Sequence, residues 1–156
     1  TEFQLSGKFT SLTGHSMGGH GALTIAFKNP SKYVSVSAFS PICEPSGCGW
    51  GKLAFDEYLG GAEMGEEYDA TRLMKKYGPF KGLDDILIEQ GAADDFLEQG
   101  QLQPEKLVEA AKSVGQTITL NMREGFDHSY FFIAAFIDNH VKFHGERLNA
   151  KMASTK

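Results

Sequence analysis

Apolar and polar positions follow two rhythms along this chain, and the switches between them outline its elements. Phe9 to Gly14 reads as a short strand that runs straight into Gly14-His15-Ser16-Met17-Gly18. A helical pattern follows from about Gly19 to Lys28, and Asn29-Pro30 ends it. Tyr33 to Phe39, rich in Val and Ser, reads as a second strand. Ser40 to Gly51 reads as a loop with two prolines, three glycines and both cysteines. Lys52 to Tyr58 predicts a short helix closed by Gly60-Gly61, and Ala70 to Tyr77 another, with Asp69 or Thr71 as its cap. Asp85 to Glu89 is a third strand, followed by Gln90, Gly91 and a loop holding Asp94 and Asp95. Pro104 suits a first helical position, and the helix runs to about Val114 with Leu107, Val108, Ala111 and Val114 on one face. Thr117 to Met122 is a fourth strand, Arg123 to His128 a loop, and Ser129 to about Gly145 a long helix; the polar tail from Leu148 is expected to fray.

Strands alternating with helices predict an α/β layered fold with a mainly parallel sheet of about four strands. Composition agrees. The 156 residues are 41% hydrophobic and 12% aromatic, too apolar for a disordered chain and enough for one core. The net charge of −5, with no basic stripe, argues against nucleic acid as a partner. Two cysteines do not make a disulfide framework. There is no run of 18 apolar residues, so no membrane span is expected, and no signal peptide is legible at the start.

The chemistry begins at Gly14-His15-Ser16-Met17-Gly18, a G-x-S-x-G pattern with a strand before it and a helix after it. That context lifts the Ser16 hydroxyl above the sheet edge on a strained turn. The glycines two before and two after leave room for the sharp bend. The helix start makes the Met17 N–H the expected first oxyanion donor. A serine needs a base and the base an orienting carboxylate, in the order serine, acid, histidine, each in a loop after a strand. His128 follows the fourth strand and fits the base. His15 and His20 flank the nucleophile and suit packing or pocket-edge roles. His140 and His144 lack the Glu of a zinc-binding H-E-x-x-H, and no metal is expected there. Asp94 and Asp95 both follow the third strand, and topology leaves both open with Asp94 preferred. Asp127, beside His128 in sequence, suits a structural role. No Gly-x-Gly-x-x-Gly follows a first strand, so no dinucleotide cofactor is expected.

The segments Gly14-His15-Ser16-Met17-Gly18-Gly19-His20-Gly21-Ala22-Leu23, Val36-Ser37-Ala38-Phe39-Ser40-Pro41-Ile42-Cys43, Asp85-Ile86-Leu87-Ile88-Glu89-Gln90-Gly91 and Gly125-Phe126-Asp127-His128-Ser129-Tyr130 resemble the S-formylglutathione hydrolase (esterase D) family of α/β-hydrolases. The resemblance runs from Gly14 to about Ala150. It implies Ser16 as nucleophile, Asp94 as acid and His128 as base, without a cofactor. It implies hydrolysis of the glutathione thioester S-formylglutathione, and of simple esters with small acyl groups, by a cytoplasmic and often dimeric enzyme. The family commonly has a lysine where this chain has Ala92. Cys43 matches a cysteine of relatives and suits a free thiol near the pocket. His15 and Trp50 are further candidates for the pocket.

The elbow stands only 15 residues from the first residue, room for one strand. The upstream strands, and the loop that supplies a second oxyanion donor, have no counterpart here. The expected fold is therefore the C-terminal part of an α/β-hydrolase domain over residues 1–156, with an uncovered sheet edge. Three readings follow: a fragment of a larger enzyme (the one preferred), one piece of an assembled enzyme, or a short protein that covers its edge by self-association. A catalytically impaired remnant is the alternative to an enzyme.

Overall fold

The computed structural model describes residues 8–155. Four strands, β1 (Leu12–His15), β2 (Val36–Phe39), β3 (Asp85–Gly91) and β4 (Thr117–Arg123), form one sheet in the order β1-β2-β3-β4, all parallel. The helices are α1 (Met17–Lys28), α2 (Gly49–Leu59), α3 (Ala70–Tyr77), α4 (Asp95–Glu98), α5 (Pro104–Val114) and α6 (Tyr130–Ala153). This is a partial α/β-hydrolase architecture.

Alternation along the strands gives the sheet two different faces. Val36, Ala38, Ile86 and Ile88 join Leu23, Ala26 and Phe27 of α1, Leu73 and Met74 of α3, and Leu107 and Ala111 of α5 in the main core. The opposite face carries Ser37, Phe39 and Glu89, and α6 lies over it. Phe39 stacks on His140 at 3.7 Å and meets Phe132 edge-on;. The polar positions there are hydrogen-bonded rather than wet. Ser37 Oγ lies 2.7 Å from His140 Nδ1 and 2.7 Å from His144 Nε2, and Ser35 Oγ lies 2.7 Å from His144 Nδ1. Glu89 is fully buried and receives both Arg123 Nε at 2.6 Å and Arg123 Nη2 at 2.9 Å, with Asn121 and Asn139 beside it. Burying a carboxylate is tolerable only with this degree of pairing.

Several boundaries differ from the sequence reading. The first strand begins at Leu12 rather than Phe9, and α1 begins at Met17 rather than Gly19. The loop after β2 is more ordered than its prolines and glycines suggest. Pro45–Gly47 forms a 3-10 turn, and α2 already starts at Gly49, capped by Cys48 Sγ on the Gly51 N–H. Asp69, not Thr71, caps α3: its Oδ1 accepts from the Arg72 N–H at 3.0 Å. Its Oδ2 accepts from the Ser46 N–H and hydroxyl, so one buried carboxylate ties that loop to the helix. Thr71 donates instead to the Cys43 carbonyl.

The largest correction concerns the C-terminus. Helix α6 does not stop near Gly145 with a frayed tail; it continues to Ala153. Glu146, Arg147, Leu148, Ala150, Lys151 and Met152 are good helix formers whatever their polarity. Arg147 anchors the extension, stacked 3.6 Å over Phe143 and ion-paired to Asp85 at 3.2 Å.

Candidate active site

Ser16 sits at the turn between β1 and α1 with φ 56° and ψ −119°, a conformation rare for any residue with a side chain. Backbone contacts hold it there: the Ser16 N–H donates to the Phe39 carbonyl at 2.9 Å, and its own carbonyl accepts from the His20 N–H. The pattern's two glycines play unequal parts. A Cβ on Gly14 would collide with the Gly18 carbonyl, so the bend requires glycine there. A Cβ on Gly18 would meet nothing within 4 Å, so the expectation that it also relieves crowding is not met. The crowded second position is Gly19, where a Cβ would come within 3.0 Å of Pro41. Met17 opens α1, and its N–H, in the first turn, lies beyond the reach of the intrahelical ladder.

The loops after β3 and β4 are laced together. The Ala92 N–H donates to the Arg123 carbonyl and the Ala93 N–H to the Phe126 carbonyl, both at 2.9 Å. Gly91 permits this, because a Cβ there would strike the Phe126 carbonyl. The lacing delivers His128 to Asp94, with Nδ1 2.6 Å from Asp94 Oδ2. Asp94 is 2% exposed. Burial opposes its ionisation, but the bond and charge of His128, the Phe96 N–H on Oδ1 and the Gln90 amide on Oδ2 outweigh it and hold the carboxyl below its ordinary range. Asp95 is exposed in the first turn of α4, so geometry separates the two aspartates that topology left open. Asp127 accepts from the Ser129 N–H at the entry to α6, a structural contact as its position suggested. The imidazole of His128 is wedged between Phe96, edge-on at 4.8 Å, and the ring of His15 at 4.4 Å.

An open cavity of about 530 Å³ adjoins Ser16, Met17 and His20. Its remaining wall comes from the segment between β2 and α3, including Ile42, Trp50, Phe55 and Tyr58, and no aspartate, glutamate, lysine or arginine lines it. Trp50 lines this cavity and packs edge-on against Phe96 at 4.8 Å. Two expectations change. His15 does not line this cavity; its ring lies against His128 and Tyr130. Burial first, and the neighbouring His128 second, depress its pKa. Cys43 does not line the cavity either. It is wholly buried in the main core, and burial, reinforced by Glu105, Asp69 and Glu44, pushes its thiol pKa up. Both cysteines are free.

Sequence reasoning did not single out Gln90 or Phe96. Phe96 belongs to the single-turn helix α4, too short to show a periodicity. Gln90 stood only as a strand-end residue. Among the described residues no group of His, Cys, Asp and Glu side chains is arranged to hold a metal ion. Both ring nitrogens of His144 and Nδ1 of His140 are spent on serine hydroxyls, while His140 Nε2 is buried without a partner among the described residues. No helix among the described residues is long and apolar enough to cross a membrane.

Comparison with known proteins meets this geometry. The family model Esterase matches residues 1–143. S-formylglutathione hydrolase of Bos taurus is 52% identical over 142 residues, covering 90% of this chain and 49% of the relative. That of Arabidopsis thaliana is 49% identical, covering 93% and 50%. A solved S-formylglutathione hydrolase from Agrobacterium tumefaciens superposes with a TM-score of 0.85 at 43% identity, over 92% of this chain and 50% of that one. The chain thus spans about half the length of the curated relatives it matches. A ferulic acid esterase at 14% identity, TM-score 0.67, shares the fold alone. The chain belongs to the Esterase family of α/β-hydrolases and is homologous to the S-formylglutathione hydrolases.

Proposed function

We propose that this chain carries the catalytic residues of a serine esterase and thioesterase, with Ser16 as nucleophile, His128 as base and Asp94 as the acid that orients it. The observation that carries the reading is the short Asp94–His128 bond, with the His128 ring packed at 4.4 Å against His15, which immediately precedes Ser16 in the strained turn. His128 takes the Ser16 proton as the hydroxyl attacks the acyl carbonyl. Asp94 holds the tautomer with the proton on Nδ1 and stabilises the imidazolium. The oxyanion lies at the Met17 N–H. The leaving thiol or alcohol receives the proton from His128, and a water activated by the same imidazole then cleaves the acyl-serine. The homology favours S-formylglutathione as substrate, released as glutathione and formate.

A second reading has its own support. Among the described residues the Met17 N–H is the one donor positioned as the family pattern requires, and loss of one oxyanion donor costs roughly 10²–10³ in rate. An impaired enzyme that needs further chain, or a second copy, along the β1 edge, the end of the sheet among the described residues, is therefore the alternative. Fluorophosphonate labelling read by intact mass, alongside S-formylglutathione turnover, separates the two. Labelling that disappears in Ser16→Ala, with turnover by the parent, supports the enzyme. Labelling that survives in Ser16→Ala removes Ser16 from the mechanism. Labelling at Ser16 without turnover identifies the impaired form.

A further inference from the structure

Gln90 occupies the next-to-last position of β3 and is completely buried. Its Nε2 donates to Asp94 Oδ2 at 3.1 Å and to the Gly91 carbonyl at 3.1 Å. Asp94 Oδ2 is the same oxygen that faces His128 Nδ1 at 2.6 Å. The other end of the amide, Oε1, is buried without a partner among the described residues. The amide has only one workable orientation. Both groups facing Nε2 are acceptors, so the reversed amide would set oxygen against oxygen twice. A buried position selected for packing alone takes an apolar side chain, as Ile86, Leu87 and Ile88 do in the same strand. Here the chain tolerates an orphaned carbonyl in order to aim one N–H at one carboxylate oxygen.

We propose that Gln90 is a positioning residue for the acid. The Phe96 N–H holds Asp94 Oδ1 at 2.9 Å while Gln90 holds Oδ2. Pinned at both oxygens, the carboxylate cannot turn about its Cβ–Cγ bond, and Oδ2 stays aimed at Nδ1 of His128. The imidazole is thereby kept in the tautomer that leaves Nε2 unprotonated for the Ser16 hydroxyl. The inference rests on the serine-hydrolase reading above for its catalytic meaning, and on hydrogen-bond geometry alone for its structural content.

Gln90→Met tests it, since methionine matches the length and carries neither the donor nor the orphaned acceptor. The thermal midpoint is expected close to that of the parent, because the unsatisfied carbonyl leaves together with the bonds to Asp94 and the Gly91 carbonyl. The His128 imidazole ¹⁵N shifts, read where the ring is neutral, are expected to change from one dominant tautomer to a mixture. Phosphonylation of Ser16 is expected to slow on the order of tenfold. Ile88→Val, in the same strand, controls for lost packing and leaves the tautomer unchanged. A folded Gln90→Met with the parent's tautomer and labelling rate overturns the proposal. Where that variant does not fold, the parent carries the test. The Gln90 side-chain amide protons are expected to exchange slowly and to shift on Asp94→Asn, and resonances that exchange freely or are blind to that substitution overturn it. A parent that never labels at Ser16 sinks the hydrolase reading instead, while the tautomer measurement still decides the role of Gln90.

Discussion

A Cβ placed on Gly14 would meet the Gly18 carbonyl, whereas one on Gly18 projects into open space. The two glycines of one motif therefore predict opposite outcomes. Gly14→Ala is expected to destabilise by about 1–3 kcal/mol, the usual cost of forcing atoms into a filled space. Gly18→Ala is expected to be neutral or to stabilise by about 0.5 kcal/mol, because alanine has less backbone freedom to lose in a helix. Urea denaturation of the two variants checks both signs. The aspartates diverge as sharply. Asp94→Asn leaves the fold and presents an amide to His128, favouring the wrong tautomer, and is expected to slow Ser16 labelling by roughly 10⁴-fold. Asp95→Asn, on an exposed side chain, is expected to leave the labelling rate within about twofold, because it leaves the Asp94–His128 pair intact.

At the scale of elements, α6 is held to the sheet by imidazoles that must stay neutral. Burial lowers the His140 pKa to about 4, with His144 adding to the effect and Glu89 opposing it. Burial, then Arg147, lowers that of His144 to about 4. Both lie below the unfolded value of about 6.5, so the unfolded chain takes up protons first as pH falls. The stability these neutral rings contribute is present above pH 6.5 and is lost between about 6.5 and 4, up to roughly 3 kcal/mol for the buried His140 and less for the part-exposed His144. Urea midpoints are expected to fall steadily across that window, and His140→Gln to flatten the fall. A flat profile from pH 7 to 4.5 would rule out buried neutral rings. The last turns of α6 are equally testable. Arg147→Ala loses the Phe143 stack and the Asp85 pair and is expected to cost about 1 kcal/mol, which a frayed tail would not show.

For the whole molecule, the strand–helix alternation, the parallel sheet and the Ser16, Asp94 and His128 loops were legible because hydrophobic rhythm and loop order report topology directly. What escaped depends on distant partners. Helix α6 runs past Gly145 because Arg147 finds Phe143 and Asp85, and local polarity alone suggested fraying. Cys43 was placed near the pocket through the family resemblance, yet its side chain enters the core. Gln90 shows its purpose only once Asp94 is folded against it. The burial of both cysteines carries a global prediction. A thiol-specific reagent is expected to modify neither Cys43 nor Cys48 in the native state and both after denaturation, as mass spectrometry of the adducts would show.

Beyond Ser16, Met17 and His20, the cavity wall belongs to the crossover between β2 and α3, while the proposed acid and base, Asp94 and His128, hang from the ends of β3 and β4. On the proposed reading, recognition and chemistry are thus written in separate stretches of chain. Crossover substitutions that spare the Asp69 and Cys43 anchors can reshape what is accepted without moving the proton relay. A library confined to residues 49–59 should therefore yield variants that differ in acyl preference while keeping one common rate-limiting chemistry.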